Sequence, residues 1–261
     1  MRFPLILNGS FLKFLRQAAF YVSLLLLWKF LFMLRLWPSH LFPSPEQVFE
    51  TLWSGIKDHT LLDSVGVTMR RIFLGYLLSV FFGVLLGFCI GKIKILDETI
   101  GSLFVGIQTL PSICFLPLAM VWFGVNEIAI QFVIVTGSFL SIAIATDSGV
   151  KSVHSTYLSA GRNMGAQGAN LFFHVVFPAS FPSILMGLKQ GWIFAWRSLM
   201  AAEMLFVSLG LGYLLNEGRQ LNDMSRIIAV ILVIITIGIT IDNVFFGTLE
   251  KRVRKVWGLE R

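Results

Sequence analysis

Long apolar stretches separated by shorter polar ones dominate the chain. They run over residues 18–37, 72–91, 100–123, 128–146, 184–206 and 227–246. Each is close to the ~20 residues that a helix needs to cross the hydrocarbon core of a bilayer. The first follows Arg2, Lys13 and Arg16. It is too long for the core of a secretory signal and no small-residue cleavage site follows it, so it reads as a retained span. Lys29 interrupts it and has to snorkel or face protein. The third is interrupted by Pro111 and Pro117. Residues 38–67 form a polar connection in which Pro38, Pro43 and Pro45 break helices and 46–55 has the pattern of a short amphipathic helix. A longer polar segment, 147–183, separates the fourth and fifth runs.

Composition narrows the class. Hydrophobic residues make up 56% of the 261 and charged residues 13%, against about 25% charged in a soluble domain. A soluble fold with this make-up would have to expose too much apolar surface. Disordered and disulfide-rich classes are excluded by the same figures. The expected fold class is an all-α membrane protein with six transmembrane helices. Cys89 and Cys114 lie in apolar runs and are read as buried packing residues, not a disulfide or metal site.

Lys and Arg exceed Asp and Glu by 21 − 14 = 7. In a membrane chain that excess sets topology before it suggests nucleic acid. Six spans place both termini on one side, with Arg2, Lys13, Arg16, Lys92, Lys94, Lys151, Arg162, Lys189, Lys251, Arg252, Arg254, Lys255 and Arg261. Arg35, Lys57, Arg70, Arg71, Arg219 and Arg226 fall on the other. The count of 13 against 6 predicts cytoplasmic termini. Gly75, Ser79, Gly83, Gly87 and Gly91 place a small residue at every fourth position of the second span, suited to close helix approach within the chain or between subunits.

The 147–183 segment carries the most specific pattern. Residues 155–164 predict a short helix with Ser155 or Thr156 as its N-cap and Gly165 as a left-handed end. A second short helix is expected over 167–176, ended by Pro178 and Pro182. Together they form a compact knob between spans four and five. The knob resembles the "EAA" motif of importer permeases of the ATP-binding-cassette (ABC) class: Glu-Ala-Ala, three residues, Gly, nine residues, then Ile-x-Leu-Pro. Here Ser159-Ala160-Gly161 is followed by three residues, Gly165, nine residues, and Val175-Val176-Phe177-Pro178. Ser159 and Gly161 depart from the motif. LFPSPEQVFETLW at 41–53, LPSICFLPLAMVWFG at 110–124 and AWRSLMAAEML at 195–205 are similar to the nitrate/sulfonate/taurine branch of that class.

The resemblance implies a type I ABC importer permease fold, with one permease domain over 1–261. Its core would cover about 66–250, after an extra span at 18–37, with a cytoplasmic coupling loop at 147–183. Ser159, Ala160, Gly161, Gly165, Val175, Phe177 and Pro178 would serve the contact with a cytoplasmic ABC ATPase. No Gly-x-x-x-x-Gly-Lys-Ser/Thr motif is present, so ATP-Mg is expected on two separate ATPase subunits and no cofactor on this chain. The resemblance further implies a second permease copy, an extracytoplasmic solute-binding protein and a bacterial inner membrane. It implies a small anion of the nitrate, sulfonate, taurine, cyanate or bicarbonate kind as substrate. A thiamine-precursor or riboflavin-like solute is the alternative. A stand-alone carrier or channel would leave the knob without a purpose.

Within the spans, Pro111 and Pro117 free backbone carbonyls, and Gln108, Thr109 and Ser112 stand beside the first. A broken, polar-lined helix suits a pathway or a kink satisfied by a neighbour. Arg197 lies near the middle of the fifth span, where a charge costs about 2.5–3.5 kcal/mol on insertion scales. Its guanidinium suits either an anionic substrate or a structural ion pair. Glu203, six residues on, points about 120° away on the same helix, and reads as a gate or an interface contact. Asp242 is expected to be solvated or to pair with Arg252. His154 and His174 lack ligand-spaced partners for a metal. No catalytic motif is found, and the chain reads as a transporter subunit.

Overall fold

A computed structural model describes residues 9–206 and 208–257; Arg2 and Arg261, counted above among the orienting charges, lie outside them. Among the described residues every regular element is helical: α1 (Gly9–Met33), α2 (Pro45–Lys57), α3 (Thr60–Lys92), α4 (Lys94–Gln108), α5 (Ser112–Phe123), α6 (Glu127–Lys151), α7 (Ser155–Asn163), α8 (Gly168–Leu205), α9 (Leu211–Gln220) and α10 (Met224–Lys255). Part of α1 (Leu15–Met33), α3, α6, α8 and α10 are long and apolar enough to cross a membrane, and the bent pair α4–α5 makes a sixth span if counted as one.

Packing divides the chain into two units. The first comprises 1–62 and 214–232. In it Ser44 and Gln47 form a reciprocal capping box at the start of α2. The Gln47 N–H donates to Ser44 Oγ at 3.2 Å and the Ser44 N–H to Gln47 Oε1 at 2.9 Å. Pro45 takes the first helical position, where its missing N–H costs nothing. Lys29 answers its own cost by pairing with Glu46. The hydrogen bond from Lys29 holds the Glu46 carboxyl below the usual carboxylate range. Trp28 Nε1 donates to the Pro43 carbonyl at 3.1 Å.

The second unit comprises 63–213 and 233–261. Its core is built on Ile72, Leu116, Ile130, Val133, Ile134, Leu199 and Phe206, all nearly inaccessible. The small-residue stripe of α3 packs within the chain. A Cβ on Gly75 would meet Ile134, on Gly83 Ile142, on Gly87 the Ala143 carbonyl, and on Gly91 Val150, all on α6. Ser138 Oγ donates to Ser79 Oγ at 2.7 Å in the same seam. Gly87→Ala is expected to destabilise by about 1–3 kcal/mol, because overpacking forces helices apart. Its Cβ would lie 2.5 Å from a backbone oxygen that has nowhere to go. Gly66→Ala on the same helix meets nothing within 4 Å and should be neutral or stabilising. Thermal unfolding of the two variants in detergent checks the opposite signs.

One expectation about the prolines holds and two are corrected. The third run is broken at Pro111, where α4 and α5 meet at 101°. Pro111 enforces this break, since it lacks an N–H and restricts Leu110 to extended backbone. Pro117 breaks nothing, because it falls in the first turn of the α-helical part of α5, Leu116–Phe123, which follows a 3-10 turn at Ser112–Phe115. Pro178 and Pro182 do not end a short helix; α8 runs through both. A π-helical turn at Phe172–Val176 carries the Phe177 N–H to the Phe172 carbonyl. That extra residue lets Pro178 sit at the start of the following turn. Cys114 is exposed and Cys89 half-buried, so neither is the buried packing residue expected.

Candidate functional site

The knob contains a short helix with a defined cap at each end. His154, not Ser155 or Thr156, is the N-cap of α7: its Nδ1 accepts from the Thr156 N–H at 3.3 Å and contacts Thr156 Oγ1 at 2.8 Å. At the other end Gly165 has φ +85°. The Gly165 N–H donates to Arg162 O and the Ala166 N–H to Gly161 O, both at 2.9 Å. This is a Schellman motif, and glycine supplies its left-handed residue without steric cost. Ser159, Ala160 and Gly165 are exposed, while Gly161 is buried. A Cβ on Gly161 would lie 2.8 Å from Val175 and 2.9 Å from Leu171, which accounts for glycine where the motif has alanine. Phe177 is 5.9 Å from Phe88, Phe88 is 4.9 Å edge-on to Phe172, and Lys92 Nζ sits 4.0 Å above the Phe172 ring. These contacts fasten the knob to the end of α3. Val175 packs under Gly161 of the knob and Phe177 joins the aromatic contacts at its base, while Ser159, Ala160 and Gly165 form its free surface.

The break between α4 and α5 opens a second feature. A cleft of about 380 Å³ is lined by Gln108, Thr109, Ser112, Thr136, Ser141 and Arg197, together with apolar groups. Ser198 Oγ donates to Ser112 Oγ at 2.8 Å and ties the break to α8. Gly137 lets that contact form, since a Cβ there would lie 2.0 Å from Ser198 Oγ. Arg197 is exposed, and no carboxylate among the described residues pairs with it. The cleft therefore gathers four of the five expected pathway residues.

Glu203 is not among them. It is fully buried, with its carboxylate 2.9 Å from Arg71 Nη1. The Thr68 hydroxyl donates toward both Glu203 oxygens at 2.9 and 3.0 Å, and the Gly212 N–H donates to Oε2 at 3.0 Å. Arg71 is itself buried. It donates through Nε to Glu127 at 2.9 Å, through Nη1 to the Leu209 carbonyl at 2.7 Å, and through Nη2 to Ser208 Oγ at 3.1 Å. The Leu211 N–H closes the network by donating to Thr68 Oγ1 at 2.9 Å. The network staples the segment after α8 to α3. The sequence counted Arg71 only among the charges flanking the second span and gave no sign of this role. The available signal was Glu203 itself, a carboxylate within a span that calls for a partner of opposite sign. Asp242 pairs with Lys189 at 2.8 Å, not with Arg252, which lies ten residues, about 15 Å, further along the helix.

Comparison with known proteins gives the class of this chain. Residues 79–255 match the family described as "Binding-protein-dependent transport system inner membrane component". A putative ABC transporter permease of Methanocaldococcus jannaschii is 36% identical over 185 residues, 70% of this chain and 69% of that one. The taurine transport system permease protein of Escherichia coli is 29% identical over 205 residues, 77% and 74% of the two chains. A nitrate import permease protein of Synechocystis is 28% identical over 220 residues, 81% and 80%. The crystal structure of an amino acid ABC transporter with histidines superposes with a TM-score of 0.62 at 19% identity, covering 77% of this chain and 98% of that one. The chain belongs to the binding-protein-dependent ABC permease family and has the type I importer permease fold. It is a multi-pass inner-membrane transporter subunit, not an enzyme, and works with an ATPase and a solute-binding protein.

Proposed function

We propose that this permease passes a small oxyanion, of the sulfonate or nitrate kind, through the cleft at the α4–α5 break, with Arg197 as its principal contact. The observation that carries this is a guanidinium eight residues before the end of α8, exposed in a cleft of mixed polar and apolar lining, with no carboxylate of the described residues paired with it. Oxyanions offer the planar pair of acceptors that a guanidinium fork matches. The names of the E. coli and Synechocystis relatives point to the same chemistry. Gln108, Thr109 and Ser112 supply neutral hydrogen bonding along the route.

The exposed surface of the knob, Ser159, Ala160 and Gly165, seats in a groove of the cytoplasmic ATPase, and ATP-driven closure of the ATPases switches the spans between inward- and outward-open states. One knob per chain calls for two permease copies to serve two ATPase subunits. The core permease domain covers about 66–250, and 18–37 is an added span. The knob side, with both termini, faces the cytoplasm, in line with the lysines and arginines that remain on it.

Arg197→Lys is expected to lower uptake while assembly persists, because the charge stays and the fork is lost. Arg197→Ala should lower it further, by the equivalent of about 1.5–3 kcal/mol of charge-assisted hydrogen bonding. Uptake of taurine and of nitrate into liposomes, measured beside thermal stability of the purified complex, checks this. Loss of stability in proportion to loss of uptake would reject the pathway role.

A further inference from the structure

We infer that α2 is an interfacial helix whose Phe49–Trp53–Ile56 face lies in the lipid headgroup layer at the end of α1. With 13 residues, α2 is about 20 Å long, too short to cross a core of about 30 Å. Its residues sort into arcs at about 100° per residue. Val48 is buried, and Leu52 and Gly55 line a small cleft with Leu61, Leu214 and Val230. On the adjoining arc Phe49, Trp53 and Ile56 are 67%, 62% and 42% exposed. Glu46, Glu50 and Lys57 follow on the next arc, away from the apolar ones.

The depth of this face is set by its tie to a span. Trp28 and Lys29 of α1 hold Pro43 and Glu46, at the entrance to α2. Lys29 is four residues from the end of α1 at Met33, about 6 Å along the axis. Leu24, Leu25, Leu26, Leu27 and Phe30 of that span are all more than half exposed, as a lipid-facing helix in a membrane protein should be. Between that span and α2, Leu36, Trp37 and Leu41 are exposed as well. A helix starting about 6 Å inside the end of such a span sits at the depth where amphipathic helices bury their apolar face, about 5–10 Å into the headgroup and acyl boundary. An indole at Trp53, with an apolar body and one N–H donor, suits that layer.

The test uses the full-length permease assembled with its ATPase in vesicles of phosphatidylethanolamine and phosphatidylglycerol. With Cys89 and Cys114 replaced by serine, Phe49→Cys, Trp53→Cys and Glu50→Cys each carry one environment-sensitive fluorophore. Labels at 49 and 53 should be quenched strongly by a lipid nitroxide near the headgroup and weakly by aqueous iodide, and the label at 50 the reverse. In the unmodified protein a carbene-generating lipid analogue should mark Phe49, Trp53 and Ile56 and spare Glu50, which keeps the inference testable if a labelled variant fails to assemble. Iodide access at 49 and 53 equal to that at 50, or no lipid adduct on α2, would overturn it. Protection from iodide that appears only when the solute-binding protein is added would also overturn it and assign the face to that partner.

Discussion

Arg71→Ala will cost the folded permease about 3–5 kcal/mol, the penalty for leaving a buried charge without its partner. That is a large part of the stability of an ordinary domain. The geometry also orders the neighbouring variants. Without Arg71, the fully buried Glu203 carboxylate keeps only the donors of Thr68 and Gly212. Without the Glu203 charge, Arg71 still has Glu127, Ser208 and the Leu209 carbonyl, so Glu203→Gln should cost less than Arg71→Ala. Glu127 is 54% exposed at its side chain, and an exposed ion-pair partner contributes about 0–1 kcal/mol, so Glu127→Ala should cost least. Thermal unfolding of the purified transporter in nanodiscs checks the ranking. Equal destabilisation by Glu127→Ala and Arg71→Ala would contradict it.

Gly165→Val should abolish substrate-stimulated ATP hydrolysis while leaving insertion intact. The residue has φ +85° with open space around it, so the obstacle is backbone conformation and not a clash. A left-handed non-glycine residue costs roughly 1–2 kcal/mol, and a β-branched one is the least tolerated. Relaxing that strain breaks the Schellman bonds from Gly165 and Ala166 and displaces the exposed surface next to Ser159 and Ala160. Gly165→Asn is the control, since asparagine visits the left-handed region more readily, and should retain much of the coupling. ATP turnover of reconstituted transporter with and without liganded binding protein distinguishes the two. Normal stimulation of the valine variant would remove the knob from the coupling path.

Spans and knob were legible because their signals are local. Twenty apolar residues mark a crossing wherever they fall, and Gly165 announces a helix end by its own backbone freedom. The cleft was legible for a similar reason: Pro111 breaks a helix by its own chemistry, and Gln108, Thr109 and Ser112 are its immediate neighbours. What failed to show depends on partners distant in the chain. Arg71 meets Glu203 across 132 positions, and nothing near either residue records the match. Asp242 found Lys189 for the same reason. Pro178 misled because a single extra residue, held in the π-helical turn, absorbs the steric conflict that normally ends a helix. His154 was overlooked as a cap because Ser155 and Thr156, the usual capping types, stand beside it. The departure at Gly161 became intelligible only once Val175 and Leu171 were seen against it.

The unbroken run of α8 from Gly168 to Leu205 has a mechanical consequence. Residues 168 and 197 belong to one helix, about 44 Å apart along its axis, so under the proposed function the segment just after the knob and Arg197 would be two points on a single lever. A helix resists stretching far better than a loop does, and a push at one end arrives at the other as rotation or translation with little slack. The compliant places on the rod are the π-helical turn at 172–176 and Pro182, where the regular backbone bonding is interrupted. Both lie near the knob end, which leaves a long stiff arm to bear on the cleft.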